Sequence, residues 1–162
     1  MPEPALTRRE VLKAAAAVGM ASAWIPRDAA AQGSLAGLAP EEPVDKTMQR
    51  LFGGRPIRDG ASVIDLDLPL IAEDGGNVAM SVEVKSPMTP QSYVKAIYVL
   101  SDKNPRPLNA KFNLTPACGQ AYVATSLRLA DTGDVRAVAE MQDGALLMVK
   151  RTVRVVVAGS AV

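Results

Sequence analysis

Residues Val94–Thr115 read VKAIYVLSDKNPRPLNAKFNLT, and this stretch decides the fold. Val94–Leu100 alternates Ile97 and Val99 with Ala96, Tyr98 and Leu100, so a strand here buries both faces. Leu108–Thr115 sets Leu108, Ala110, Phe112 and Leu114 against Asn109, Lys111 and Asn113, the period of a strand with one wet face. Ser101–Pro107 between them holds two prolines, an Asp and an Asn. Proline lacks the amide proton a ladder needs, so neither strand continues through it. The stretch predicts a hairpin at the middle of an all-β domain.

Working outward, the same alternation recurs. Ser62–Leu70, Val78–Lys85, Gln120–Ala130, Val135–Met141 and Ala145–Val157 predict five further strands. Gly, Pro, Asn and Asp clusters separate them: Arg55–Gly60, Ala72–Asn77 with its Asp74-Gly75-Gly76 hairpin signal, Ser86–Pro90, Thr115–Gly119, Asp131–Asp134 and Gln142–Gly144. About seven short strands in a meander suit a two-sheet sandwich of immunoglobulin-like size. From Pro43, the residues Val44, Met48, Leu51 and Phe52 recur at helical spacing and Gly53-Gly54 ends the run. That short helix either caps one end of the domain or docks on a partner.

The chain opens with an address. Thr7-Arg8-Arg9-Glu10-Val11-Leu12-Lys13 precedes an Ala-rich apolar run, Ala14–Ile25, and then Ala29-Ala30-Ala31. Basic pair, short apolar segment and A-x-A site define an export signal that is cut off. The Arg8-Arg9 pair resembles the twin-arginine motif of the bacterial Tat pathway, and the apolar run falls short of the roughly 20 residues of a spanning helix. The expected organisation is a signal over 1–31, a flexible leader with a short helix over 32–60, a sandwich over 61–157 and a short tail over 158–162. The expected location is the periplasm, with export in the folded state and no membrane contact after cleavage.

Composition removes whole classes of function. The chain of 162 residues carries a net charge of +1, and without the signal 14 basic and 14 acidic side chains remain. With only 4% aromatic residues, such a neutral chain lacks the positive field that nucleic-acid binding needs. No histidine is present, which excludes Ser-His-Asp and Cys-His catalysis and the commonest transition-metal ligand. The single cysteine, Cys118, forbids an internal disulfide and a multi-cysteine metal site. No cofactor and no enzymatic activity of its own are expected.

Five segments carry a resemblance: VEVKSPMT at Val82–Thr89, VLSDKNPRP at Val99–Pro107, FNLTPA at Phe112–Ala117, LRLAD at Leu127–Asp131 and AEMQDG at Ala139–Gly144. In this order, over Asn77–Val157, the chain resembles the SoxY family, the sulfur-carrier subunit of the Sox thiosulfate-oxidising system. The resemblance implies an immunoglobulin-like sandwich, a periplasmic location and a heterodimer with a SoxZ subunit. A partner exported alongside would supply the reason for folded export. Family members end in a Gly-Gly-Cys-Gly-Gly arm whose thiol holds sulfur through an S–S bond. Here Ala158, Gly159, Ala161 and Val162 fall where the glycines stand and Ser160 falls at the cysteine. A hydroxyl forms no S–S bond, so this position is degenerate and carriage on the arm is expected to be lost.

Three readings follow. The first is a SoxY-like subunit pairing with a SoxZ-like partner. The second is a thiol-dependent carrier or redox protein using Cys118, which otherwise is a half-buried turn cysteine packing as a small apolar group. The third is a periplasmic sandwich with a purely structural role. Lys103 and Arg106 in the central loop either contact an anion or a partner, or stay solvated.

Overall fold

The computed structural model describes residues 40–157. These form one helix, α1 (Val44–Phe52), and nine strands: β1 (Ile57–Asp59), β2 (Ile64–Asp67), β3 (Ile71–Asp74), β4 (Val78–Val84), β5 (Val94–Ser101), β6 (Leu108–Asn113), β7 (Ala121–Leu127), β8 (Gly133–Met141) and β9 (Leu146–Val157). One sheet runs β1-β9-β8-β5-β6, with β3 also paired to β9, and the other runs β2-β4-β7. The two-sheet sandwich expected from the alternating pattern is the observed architecture.

The apolar sets of facing strands meet between the sheets. Ile64 and Leu66 of β2, Val82 of β4, Ile97 and Val99 of β5, and Val153 of β9 belong to one buried cluster. A second cluster lies on the outer face of the larger sheet, where Ala96, Tyr98, Leu100, Val138 and Leu146 pack with Phe52. β5 is therefore covered on both sides. Only Lys95 of its eight residues is exposed, the outcome its unbroken apolar run predicts.

Helix α1 lies on a sheet face, not at an end of the domain. At nine residues it is too short to hold alone in water, and no side chain caps its N-terminus. Val44, Met48, Leu51 and Phe52 join the outer cluster, and the Phe52 ring meets Tyr98 edge-on with centroids 5.1 Å apart. Gly53 closes it at φ 60°, donating its amide to the Gln49 carbonyl, a left-handed turn that glycine adopts without a Cβ penalty.

Under the helix end, the Tyr98 hydroxyl donates to Glu140 Oε2 at 2.9 Å and Arg55 Nη1 donates to Oε1 at 3.1 Å. Burial pushes the Glu140 carboxyl up, but the bonds from Tyr98 and Arg55 outweigh it and leave it below the ordinary value. Burial, and then the Glu140 carboxylate, push the Tyr98 phenol up from 10.0 to about 12. The folded protein thus holds this proton more tightly than the unfolded chain. Tyr98 contributes stability fully below pH 10.0, and that contribution is lost as pH rises through about 12. We predict that denaturant-measured stability falls across this window and that Tyr98→Phe flattens the fall. Parallel curves for the two proteins would refute it.

Two strands depart from the sequence reading. Arg55–Gly60, read as a turn, contains β1, and Ala72–Asn77, also read as a turn, overlaps β3, which begins at Ile71. Both pair in parallel with β9: Ile57–Asp59 beside Leu146–Met148, and Ile71–Asp74 beside Arg154–Val157. β9 has twelve residues, and at its C-terminal end it runs past its β8 partners, which stop at the Gly133–Val153 pair. Its exposed amides recruit short segments that carry no period of their own. Nor are the strands a simple meander. The Asp74 turn, in which Oδ1 accepts the Gly76 amide at 2.7 Å, links β3 of one sheet to β4 of the other, while β4 pairs with β2.

Candidate functional site

The register places three features at one end of the sandwich. Ser101 of β5 sits opposite Val135 of β8, and Gly133 of β8 opposite Val153 of β9. The loop Asp102–Pro107, the start of β8 and the end of β9 therefore lie together. β9 ends here at Val157, and residues 158–162 lie outside the described residues.

Here β9 is held on both flanks. Thr132 Oγ1 accepts the Val155 amide at 2.9 Å, and the Gly75 amide donates to the Val157 carbonyl at 2.8 Å. Gly75 in turn accepts the Leu129 amide at 2.7 Å. Leu70, just before β3, Ile71 of β3 and Val156 and Val157 of β9 are exposed here, at 57–74%.

Asn104 ties the central loop to the same structure. Buried at 7% exposure, its Nδ2 donates to Asn109 Oδ1 at 2.8 Å and to the Arg128 carbonyl at 2.7 Å. Its Oδ1 accepts the Ala130 amide at 2.9 Å. Asp102 adds a second tie, accepting two bonds of 2.7 Å from Arg136 Nε and Nη2. Sequence reasoning singled out this loop for its cations and missed its amides. The Asn-Pro pair reads as turn chemistry and Asn109 as a residue of a wet strand face, so no sequence signal sets them apart, although Asn109 is half-buried in the fold.

The two predicted cations differ. Lys103 is exposed, with its stem against Gly133, where an added Cβ would stand 2.6 Å from Cγ. Arg106 is engaged: Nη2 pairs with Glu41 Oε1 at 3.0 Å, and the Glu42 amide donates to the Pro105 carbonyl at 3.1 Å. The segment entering α1 is thus fastened onto the loop. Glu42 also accepts from Arg50 and Thr47. The Arg50 hydrogen bond, helped by Thr47 and opposed by slight burial, holds its carboxyl below the usual range.

Cys118 lies at the other end. It closes a short 3-10 turn, Pro116–Cys118, between β6 and β7, and it is exposed and not half-buried as expected, because no residue of this turn packs into the core. Thr115 Oγ1 stands 3.9 Å from Sγ. The length of β5 separates it from the root of the tail, roughly 25 Å at about 3.3 Å per residue. Two cations are engaged elsewhere: Arg106 is held by Glu41, and Lys111 Nζ lies over the Tyr98 ring, 5.1 Å from its centroid. Arg8, Arg9 and Ser160 lie outside the described residues. Among the described residues no group of three His, Cys, Asp or Glu side chains stands together as a metal site.

The family model described as Sulfur oxidation protein SoxY matches residues 48–159, beginning inside α1 and running to the residue before Ser160. Among solved structures, the sulfur carrier protein SoxY from Chlorobium limicola f thiosulfatophilum is 26% identical, with a TM-score of 0.58, covering 68% of this chain and 90% of that one. A superoxide reductase (neelaredoxin) from Ignicoccus hospitalis is 15% identical, with a TM-score of 0.52, covering 57% of this chain and 80% of that one, a likeness of fold alone. The comparison with curated proteins gives no match. Nine strands in two sheets, the loop and turn motifs in their places, and a family match over more than half of the sequence lead to one conclusion: the chain belongs to the SoxY family.

Proposed function

We propose that this chain is a carrier-type subunit of a periplasmic sulfur-oxidising system, exported folded by the Tat pathway and paired with a SoxZ-like subunit, and that its tail no longer carries sulfur. It acts by presenting itself to partners, not as an enzyme in its own right. One observation carries the reading. The family match covers residues 48–159, and the tail that follows offers a hydroxyl, Ser160, where the resemblance calls for a cysteine, while the only thiol of the chain, Cys118, sits at the opposite end of the sandwich. The exposed Leu70, Ile71, Val156 and Val157 leave apolar surface near the end of β9, which supports a subunit contact there.

The exposure of Cys118 favours a second reading, in which this thiol takes over sulfur binding. One experiment separates the two. The chain is co-expressed with a SoxZ-like subunit, purified, treated with tetrathionate and weighed intact, beside Cys118→Ser. The expected result is a complex of two similar-sized subunits in which the Cys118→Ser chain gains no mass. A monomeric protein would overturn the pairing. Sulfur on Cys118 that sulfur-oxidising partner enzymes then release would favour the thiol reading.

A further inference from the structure

Among the described residues, Arg106 Nε is a buried donor that meets no acceptor. Such a group gives up its hydration without a partner in return and asks for an explanation. Its neighbours show what is missing. Arg136 grips Asp102 through Nε and Nη2 together, each at 2.7 Å. Arg50 likewise turns Nε and Nη2 on Glu42, at 2.8 and 2.6 Å. This edge of a guanidinium is a fork built for a ligand with two oxygens. At Arg106 only one prong is used, by Glu41, whose side chain is 64% exposed and sits on the segment that enters α1. A pair so exposed on one side is weak, because water screens it and a tethered side chain loses freedom in holding it.

We propose that the Nε–Nη2 edge of Arg106 is a binding site for a sulfur oxyanion, with Glu41 as the competing occupant supplied by the chain itself. An oxyanion with two oxygens on one face fills both prongs, satisfies the buried Nε–H and displaces the monodentate carboxylate. The site lies in the loop that Asn104 fastens to the root of the tail, so its ligand stands at the end of the sandwich where a family arm would present sulfur. The choice of a sulfur oxyanion over other anions rests on the proposed role in sulfur oxidation. The geometry of the fork does not.

The test follows the arginine Nε–H resonances of the purified protein by nuclear magnetic resonance. Thiosulfate or sulfate is added at ionic strength held constant with sodium chloride. The Arg106 signal is the one absent from Arg106→Lys. We expect saturable movement of that signal alone. Glu41→Gln should tighten binding about two- to six-fold, the gain from removing a weak internal competitor. Thiosulfate should raise the melting temperature of the native protein, and this shift should vanish in Arg106→Gln and persist in Lys103→Gln. The proposal is overturned if Glu41→Gln binds no more tightly, if Arg106→Gln keeps the melting shift, or if acetate at equal ionic strength moves the signal and thiosulfate does not. A complex that forms with its partner while Arg106 ignores thiosulfate would sink this inference and leave the proposed function standing.

Discussion

Ser160→Cys in a Cys118→Ser background is expected to restore sulfur uptake, from none to near one adduct per chain. The exchange needs only a thiolate. It attacks an inner sulfur of tetrathionate, a new S–S bond forms on the protein, and thiosulfate leaves with the electron pair of the broken bond. A free cysteine is a few per cent thiolate at about pH 7, whereas the serine hydroxyl supplies no comparable nucleophile. Any exposed thiol takes up sulfur in this way, so the discriminating step is the next one. Sulfur on the introduced thiol should be removed by sulfur-oxidising partner enzymes, and sulfur on native Cys118 should remain. Position is the reason. β9 delivers residue 158 from the end where Thr132 and Gly75 hold Val155 and Val157, and Cys118 lies a strand's length away. Mass spectra after incubation with the partner enzymes decide it. Equal turnover of both adducts would mean that the tail holds no privileged place in this protein.

How far the molecule was legible in its sequence can be judged from single elements. β5 was readable because its apolar run has to be buried on both faces, and it is. Helix α1 was readable from four apolar positions and a Gly-Gly stop, but its place on the outer sheet face was not, since periodicity names a buried side and not the surface it meets. β1 and β3 were illegible for a physical reason. Segments of three and four residues have no period to detect, and their strand state comes from the open edge of β9. At the candidate site, Lys103 and Arg106 drew notice as charges, although a charge on a loop says nothing of its partner. Glu41, 65 residues earlier in the chain, takes Arg106 only through the fold. Asn104 was the larger omission. An amide in a Pro-rich loop looks like ordinary turn chemistry until Arg128 and Ala130 from a distant loop close around it.

Asn104→Ala is expected to be the most damaging single polar substitution in the loop. It strips the partner from the Arg128 carbonyl, the Ala130 amide and Asn109 Oδ1 together. Each bond contributes about 0.5–1.5 kcal/mol net, and a group left buried and unpaired costs more, so a loss of roughly 2–4 kcal/mol follows. For a domain of this size that lowers the melting temperature by roughly 10 °C. Asn104→Asp tests the mechanism, since it keeps an acceptor for Ala130 but sets a carboxylate oxygen against the Arg128 carbonyl and Asn109 Oδ1. It should be no milder than alanine. The damage should also have an address. Residues 128–130 lead directly to Thr132, and the Leu129 amide binds Gly75, whose own amide holds Val157. Loosening one face of this network releases the root of the tail. Amide exchange in Asn104→Ala should therefore quicken at Leu129, Ala130, Val155 and Gly75 far more than at Ile97 or Val138, buried at the centre of the larger sheet. Uniform quickening would show that the substitution lowers global stability alone, and that Asn104 has no part in fixing where the tail leaves the domain.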